Sequence, residues 1–327
     1  MTLKSLMSCV GHHIASVTLH TPAVSRYLDL ATMLAEQIAA GELPAGAALP
    51  SVRTLASREG TTPATALRAY GELARAGAIV SEPRRTAHVA YHGAIAARAL
   101  LRGGSPFRLA GSDDPALDLL LSGAAEAIVP VGARGSYRGL SALWSGAADG
   151  AALHLRHPSG DYNAPFARGL LAGRRPVLVH LWRREQGLIL APGNPRQVDD
   201  VAALDGLRVA RRPVGTGTRT LLDRLLLDAG VTPESVVGPQ VELHLDVALA
   251  VATGEADTGL GLRSAAAALG LDFVPVASEP FEVATTEREA GGVQPLLSLL
   301  ADPTVRARIE DLGGHDLAGA GEVLELS

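Results

Sequence analysis

Leu49-Pro50-Ser51-Val52-Arg53, followed after Gly60 by Thr61-Thr62-Pro63-Ala64-Thr65-Ala66-Leu67-Arg68-Ala69-Tyr70, decides the fold of the N-terminal region. Ser51 stands where a short helix would take its N-cap, with Val52, Leu55 and Ala56 facing inward. Gly60 stops that helix. Thr61 or Thr62 then caps another, in which Ala66, Leu67, Tyr70 and Leu73 form the buried side while Thr65 and Arg68 point outward. Upstream, Tyr27, Leu30, Leu34 and Ile38 recur at spacings of three and four, the stripe of a first helix that Gly41 ends. Downstream, Ala78-Ile79-Val80 and Ala87-His88-Val89-Ala90 flank Glu82-Pro83-Arg84-Arg85 and read as two short strands with a basic tip. Three helices and a hairpin at this spacing predict a winged helix-turn-helix over residues 22–90.

With these residues in place, the chain resembles the GntR-type winged helix of bacterial transcription regulators. The resemblance rests on Gly41-Glu42-Leu43-Pro44-Ala45-Gly46-Ala47-Ala48-Leu49-Pro50-Ser51-Val52-Arg53 and on Ala69-Tyr70-Gly71-Glu72-Leu73-Ala74-Arg75-Ala76-Gly77. It implies contacts to double-stranded operator DNA from Arg53, Thr62, Thr65, Arg68, Arg84 and Arg85. The chemistry agrees: arginine grips phosphate or guanine bidentately, and threonine hydroxyls fix register on the backbone. The sequence departs from the family's pattern at Pro63, where a polar or basic reader is common, and in the wing, which lacks a Gly-x-Gly-Thr turn. Residues 22–92 hold seven Arg against six Asp or Glu. Affinity for DNA must therefore come from placement and from doubling in a homodimer rather than from bulk charge.

The whole chain has 327 residues, with 29 Lys+Arg against 34 Asp+Glu, a net charge of −5. That length predicts at least two domains. One cysteine, Cys9, excludes a disulfide framework within one chain and fits a reducing cytoplasm. No apolar run approaches the roughly 18 residues of a membrane span, and the first twenty residues read as an arm rather than a secretion signal. Residues 91–106 read as a linker, its Ala/Arg run 94–102 helical, broken by Gly103-Gly104-Ser105-Pro106.

From residue 107 to 327, apolar strand-like runs alternate with helices: Phe107–Gly111, Ala127–Val131, Ala152–Leu155, Pro176–Leu181, Gly187–Leu190 and Leu207–Ala210. The alternation predicts an α/β domain with mostly parallel strands and ligands bound beyond the strands' carboxyl ends. Four loops at such junctions combine Gly with hydroxyl or amide side chains: Ser112-Asp113, Ser136-Tyr137, Ser159-Gly160-Asp161-Tyr162-Asn163 and Gly215-Thr216-Gly217-Thr218-Arg219. Each is either a plain helix cap or part of an anion site built from N–H groups and hydroxyls. Asp246 is likewise a cap or a cleft residue. His154-x-x-His157 has helical metal-ligand spacing, but Pro158 and the preceding strand-like run argue against a helix there. Trp144 and Trp182 are expected in the core.

Residues 107–285 resemble the two-lobed type II periplasmic-binding-protein-like domain found fused to helix-turn-helix modules or to molybdenum-cofactor enzymes. The motifs that carry this are Ser159-Gly160-Asp161-Tyr162-Asn163, Gly215-Thr216-Gly217-Thr218-Arg219-Thr220-Leu221-Leu222-Asp223, and the run from Asp246 to Gly261. The resemblance implies a small anionic ligand, molybdate, tungstate or a molybdopterin-related molecule, with Ser112 and Ser136 matching oxyanion-holding loops. Asp161, Tyr162, Asn163, Thr216, Thr218, Arg219 and Asp246 complete the candidate set. Where relatives carry Ser-His, this chain has Ser112-Asp113, and that carboxylate would repel a dianion unless it faces away. A competing enzyme reading, a pyridoxal-phosphate fold fused to such a head, needs a Schiff-base lysine, and the sole lysine is Lys4. No other catalytic arrangement stands out, no cofactor is expected, and a solute carrier would have no use for a DNA-reading head. The reading is a ligand-responsive regulator.

Overall fold

The computed structural model describes residues 23–326, apart from Pro83, Arg84, Gly104 and Ala125. The N-terminal arm and Arg84 therefore lie outside the described residues.

The head opens with α1 (Ala23–Ala39), α2 (Val52–Arg58) and α3 (Pro63–Arg75). Ser51 and Thr62 cap α2 and α3 by accepting the backbone N–H of Thr54 and Thr65, satisfying donors that a helix start leaves free. Leu30, Leu34 and Ile38 of α1 close over Leu55, Ala66, Tyr70 and Leu73. Tyr70 reaches through this core to donate its hydroxyl to Pro50 O at 2.7 Å, and burial pushes its pKa up to about 12. The spacing argument misplaces one residue: Leu67 is 60% exposed, and Ala69 takes the inward position instead. The wing strands β1 (Ile79–Val80) and β2 (His88–Val89) pair antiparallel.

α4 (Gly93–Arg102) occupies the middle of the segment read as a linker and contributes to two cores at once. Ala96 and Ala97 belong to the head's core, while Ile95 is buried with Phe107, Leu120, Trp182 and Phe281 of the next domain. α4 also meets a short 3-10 turn, Ala290–Val293, without a gap: a Cβ added to Gly291 would lie 2.3 Å from Ala99 N.

The second domain runs through β3 (Phe107–Gly111), α5 (Pro115–Gly123), β4 (Ile128–Arg134), α6 (Ser136–Ser145), β5 (Gly150–Leu153) and α7 (Ala164–Leu170). Then follow β6 (Pro176–Leu190), β7 (Val209–Ala210), α8 (Gly217–Asp228), α9 (His244–Ala252), β8 (Thr258–Leu262), α10 (Arg263–Ala268) and β9 (Asp272–Thr286). The chain ends with α11 (Gln294–Leu300), α12 (Pro303–Asp311), β10 (His315–Asp316) and β11 (Val323–Glu325). The sheet order is β4-β3-β5-β9-β6-β8-β7, with β10 and β11 also paired to β6.

Two 15-residue antiparallel strands, β6 and β9, carry this architecture. Near Pro176 and Thr286 they join β5, β3 and β4 as lobe 1; near Leu190 and Asp272 they join β8 and β7 as lobe 2. The sheet is thus mixed rather than mostly parallel: β3 pairs parallel with β4 and β5, as does β7 with β8, but the spine is antiparallel. The runs read as two strands, 176–181 and 187–190, are one strand whose charged middle, Arg183-Arg184-Glu185, crosses between lobes. Its register shifts at Gln186/Gly187, where the strand changes lobe. Trp182 is fully buried and stacked on Phe281, whereas Trp144 is 51% exposed rather than in the core.

Candidate ligand cleft and DNA-reading face

On the head, Arg53 and Arg68 are exposed on α2 and α3. The Arg68 guanidinium lies 4.6 Å from the centre of the Tyr27 ring, a stacking that orients it from behind. Thr62 and Thr65 share a hydroxyl contact of 2.9 Å at the start of α3. Arg85 forms an exposed ion pair with Glu82 at 2.8 Å. Leu67, beside Arg68, adds an apolar contact surface that spacing had placed inside.

In the second domain, the loops singled out by sequence converge from opposite lobes. The Ser112 and Ser136 hydroxyls sit 2.7 Å apart, both buried, and Ser136 Oγ also accepts the His154 N–H. Thr216 caps α8, accepting Arg219 N and donating to Pro213 O at 2.8 Å. A Cβ on Gly217 would lie 2.4 Å from His154 Cε1, and one on Gly135 would lie 3.0 Å from Gly215 O. The lobes are therefore closed on one another. The cavity left between Leu155, Gly217, Thr220 and Glu279 is only about 20 Å³, little more than one water needs.

Several expected site residues have other duties. Arg219 Nε is held by the Asp223 carboxylate one turn on, at 2.7 and 2.9 Å. Asp246 accepts Leu243 N at 2.9 Å and so closes the start of α9. Asn163, at a positive φ of 46°, accepts Leu155 N and donates to Glu282, fixing the turn before α7. Asp161 is exposed and accepts from Ser159, while Tyr162 is half-buried. Burial, then the nearby charge of Glu279, raises the Tyr162 pKa. Thr218 is 1% exposed and its hydroxyl has no partner among the described residues.

The residues that dominate the seam were not found by spacing. Arg184, from the middle of β6, is completely buried against the Phe281 ring and donates through Nη1 to Asp113 O at 3.1 Å and to Asp114 at 2.8 Å. Its Nε and Nη2 have no partner among the described residues. Arg212, in the loop after β7, donates Nη2 to Asp113 Oδ1 at 2.6 Å, leaving Nε and Nη1 without one. Asp114 also meets His315 Nε2 at 3.0 Å. His154 Nδ1 lies 3.0 Å from Glu279, which also accepts from Gln186. The charged interruption Arg183-Arg184-Glu185 within an apolar strand was the available signal.

These surroundings set the charge states. Burial holds the His154 pKa below 6.5, and Arg184 adds to that against the opposing pull of Glu279. Burial also holds His244 well below 6.5, with Arg212 and Arg184 acting the same way. For Asp113, burial opposes ionisation, but Arg212, the His244 N–H and Arg184 outweigh it and keep the pKa below 3.8. The seam therefore presents neutral imidazoles, ionised carboxylates and two guanidinium groups with spare N–H donors. Buried donors are nearly always satisfied in a finished protein, and each of these spare N–H groups is chemically suited to an acceptor oxygen. His157, the other half of the His-x-x-His spacing, lies on an exposed turn bonded to Ser159.

A DNA-reading head joined to a hinged pair of lobes defines a class, the regulator whose second domain is of the binding-protein type. This chain belongs to the PBP superfamily domain family, matched over residues 120–301, and its residues 26–89 match the bacterial regulatory proteins of the gntR family. It is 30% identical over 230 residues to the uncharacterized protein YvgK of Bacillus subtilis (strain 168), covering 68% of this chain and 74% of that one. Among solved structures it is similar to hydrogen-peroxide-bound OxyR of Corynebacterium glutamicum, with a TM-score of 0.46 and 16% identity over 90% of this chain and 95% of that one. It is also similar to the effector-binding domain of QuiR in complex with shikimate, with a TM-score of 0.43 and 13% identity over 59% of this chain and 96% of that one. Likeness at this level carries no argument about ligand.

Proposed function

We propose that the protein is a cytoplasmic, ligand-responsive transcription regulator that grips a two-fold operator as a homodimer and senses a small anion between its lobes. The observation that carries the ligand half is the pair of buried guanidinium groups, Arg184 and Arg212, whose four spare nitrogens have no partner among the described residues. Leaving such donors unmatched is costly, so a ligand that supplies acceptor oxygens gains affinity from satisfying them. Molybdate, tungstate and molybdopterin-related molecules fit that requirement as oxygen-rich anions, and they head the set to be tested. Ligand and cleft are coupled because a molecule that binds one arrangement of the lobes better than another shifts their populations.

The DNA half rests on Arg53 and Arg68, exposed on α2 and α3 within the gntR match. Thr62, Thr65 and Arg85 assist at the backbone, and Leu67 offers an apolar face to a thymine methyl; Arg84, outside the described residues, stays a candidate on the sequence alone. Small molecules released from purified protein, identified by mass spectrometry, together with thermal shifts against molybdate, tungstate, sulfate and pterins, test the ligand. DNA selected from a random pool, then titrated with and without the best hit, tests the coupling. A ligand that raises the melting temperature and moves DNA affinity severalfold is the expected result. Failure of every anion to do either would overturn the sensor reading.

A further inference from the structure

Lobe 2 builds a site for a carboxylate, and lobe 1 fills it. The Arg212 guanidinium approaches from the loop after β7, and the His244 N–H opens the nine-residue helix α9, which adds the partial positive charge of its first turn. Both donate to one carboxylate, Asp113, which belongs to the loop between β3 and α5 on the other lobe. Asp113 Oδ1 takes Arg212 at 2.6 Å and Oδ2 takes His244 N at 3.2 Å, while its backbone carbonyl takes Arg184. A ligand carboxylate or tetrahedral oxyanion would ask for the same donors. The cavity beside Gly217, at about 20 Å³, is too small for one. On the lobe 1 side, by contrast, Asp113 lines a cavity of about 160 Å³ together with Ser112, Leu117, Asp118 and Arg134.

Resting on the reading of the cleft as the ligand site, we propose that Asp113 is a resident anion: it latches the lobes together by occupying lobe 2's anion site. The ligand, a small molecule with a carboxylate or tetrahedral oxyanion head, binds by taking its place on Arg212 and the start of α9. Spare nitrogens on Arg212 and Arg184 then find acceptors that Asp113 alone does not provide. Asp113 thus acts as a competitor that sets the concentration at which the sensor responds.

Asp113→Asn tests this directly, since it keeps the size and the acceptor oxygen but removes the charge. The full chain, Asp113→Asn, Arg212→Gln and the double variant are titrated separately with molybdate and with succinate by calorimetry, with small-angle scattering recording lobe closure and thermal melts confirming folding. Asp113→Ser replaces the asparagine variant if that one fails to fold. The expected result is an ion-free parent that is compact, an ion-free Asp113→Asn that is more open and binds one probe at least tenfold tighter, and at least a tenfold loss wherever Arg212 is replaced. Which probe responds tells a tetrahedral oxyanion from a carboxylate. Equal or weaker binding by Asp113→Asn, with binding still lost in Arg212→Gln, would overturn the competitor role and leave the cleft as the ligand site. Binding insensitive to both substitutions would sink both readings. Failure of Asp113→Asn to bind either probe also overturns the proposal, because an emptied anion site must accept a simple anion.

Discussion

His154 and His244 make the seam sensitive to acid in a direction that follows from their burial. Each has a folded-state pKa below the ordinary 6.5. Between those two values the unfolded chain binds protons that the folded chain refuses. Stability is therefore full above about pH 6.5 and declines below it, by up to ~1.4 kcal/mol per pH unit for each ring. Urea denaturation at pH 7.5 and 5.5 should show that loss, and His154→Gln should lessen it while His244 keeps the remainder; equal midpoints at the two pH values would contradict the assignment. On the head, Arg53→Ala and Arg68→Ala should each weaken operator binding by about 1–3 kcal/mol, or about five- to 150-fold, and leave ligand binding intact. Anisotropy titrations at two salt concentrations check this, with a shallower salt slope if the lost contact was to phosphate. The head's exposed arginines were legible because α2 and α3 are short amphipathic helices with conventional caps. Arg184 was not legible, because a charge in mid-strand looks like a break in the strand until its carboxylate partners, distant in sequence, fold around it. Ser112 and Ser136 were singled out on separate loops, and the structure brings their hydroxyls within 2.7 Å of each other, which no local pattern reveals.

At the level of elements, glycine decides whether the lobes can meet. Gly217 begins α8 directly against the His154 ring, and an added Cβ there would sit 2.4 Å from a ring carbon. Neither backbone nor a buried imidazole held by Glu279 yields readily, so Gly217→Ala should prop the cleft open while each lobe stays folded. Overpacking of this kind costs about 1–3 kcal/mol, here charged to the closed form alone. Small-angle scattering should show a larger radius of gyration for the variant, and an unchanged one would mean the lobes are not closed in solution. The loop was visible in sequence as Gly215-Thr216-Gly217-Thr218; why its second glycine is needed was not, because the ring it meets, His154, follows β5 some sixty residues earlier. A similar distance in sequence hid the spine. β6 and β9 are separated by most of lobe 2, and period-2 reasoning sees each strand but not their pairing. Leu67 and Trp144 were placed inward because apolar residues usually are, yet the helices that carry them turn those faces to solvent.

Across the whole molecule, the described contacts fasten the head to lobe 1. Ile95 of α4 is buried in lobe 1's core while Ala96 and Ala97 are buried in the head's. Arg98 donates to Ala39 O at the end of α1 and to Glu287 just past the spine strand β9, at 2.9 and 3.1 Å. Arg102 adds ion pairs to Glu289 and Asp149. Partly buried charges with several partners each resist separation better than isolated surface pairs, and Gly291 leaves no gap for α4 to slide. Opening the cleft should therefore carry lobe 2 away from a rigid unit made of head and lobe 1, so a ligand changes what lobe 2 faces in a dimer rather than the tilt of the head on its own domain. Fluorescence energy transfer separates these cases. With Cys9→Ser removing the native thiol, dyes at Arg58→Cys on the head and Leu170→Cys on lobe 1 should report a constant distance. Arg58→Cys paired with Leu227→Cys on lobe 2 should report a change when Asp113→Asn or Gly217→Ala opens the cleft. A shift in the first pair of the same size as in the second would mean that α4 is a hinge, and that the charged contacts of Arg98 and Arg102 yield before the spine does.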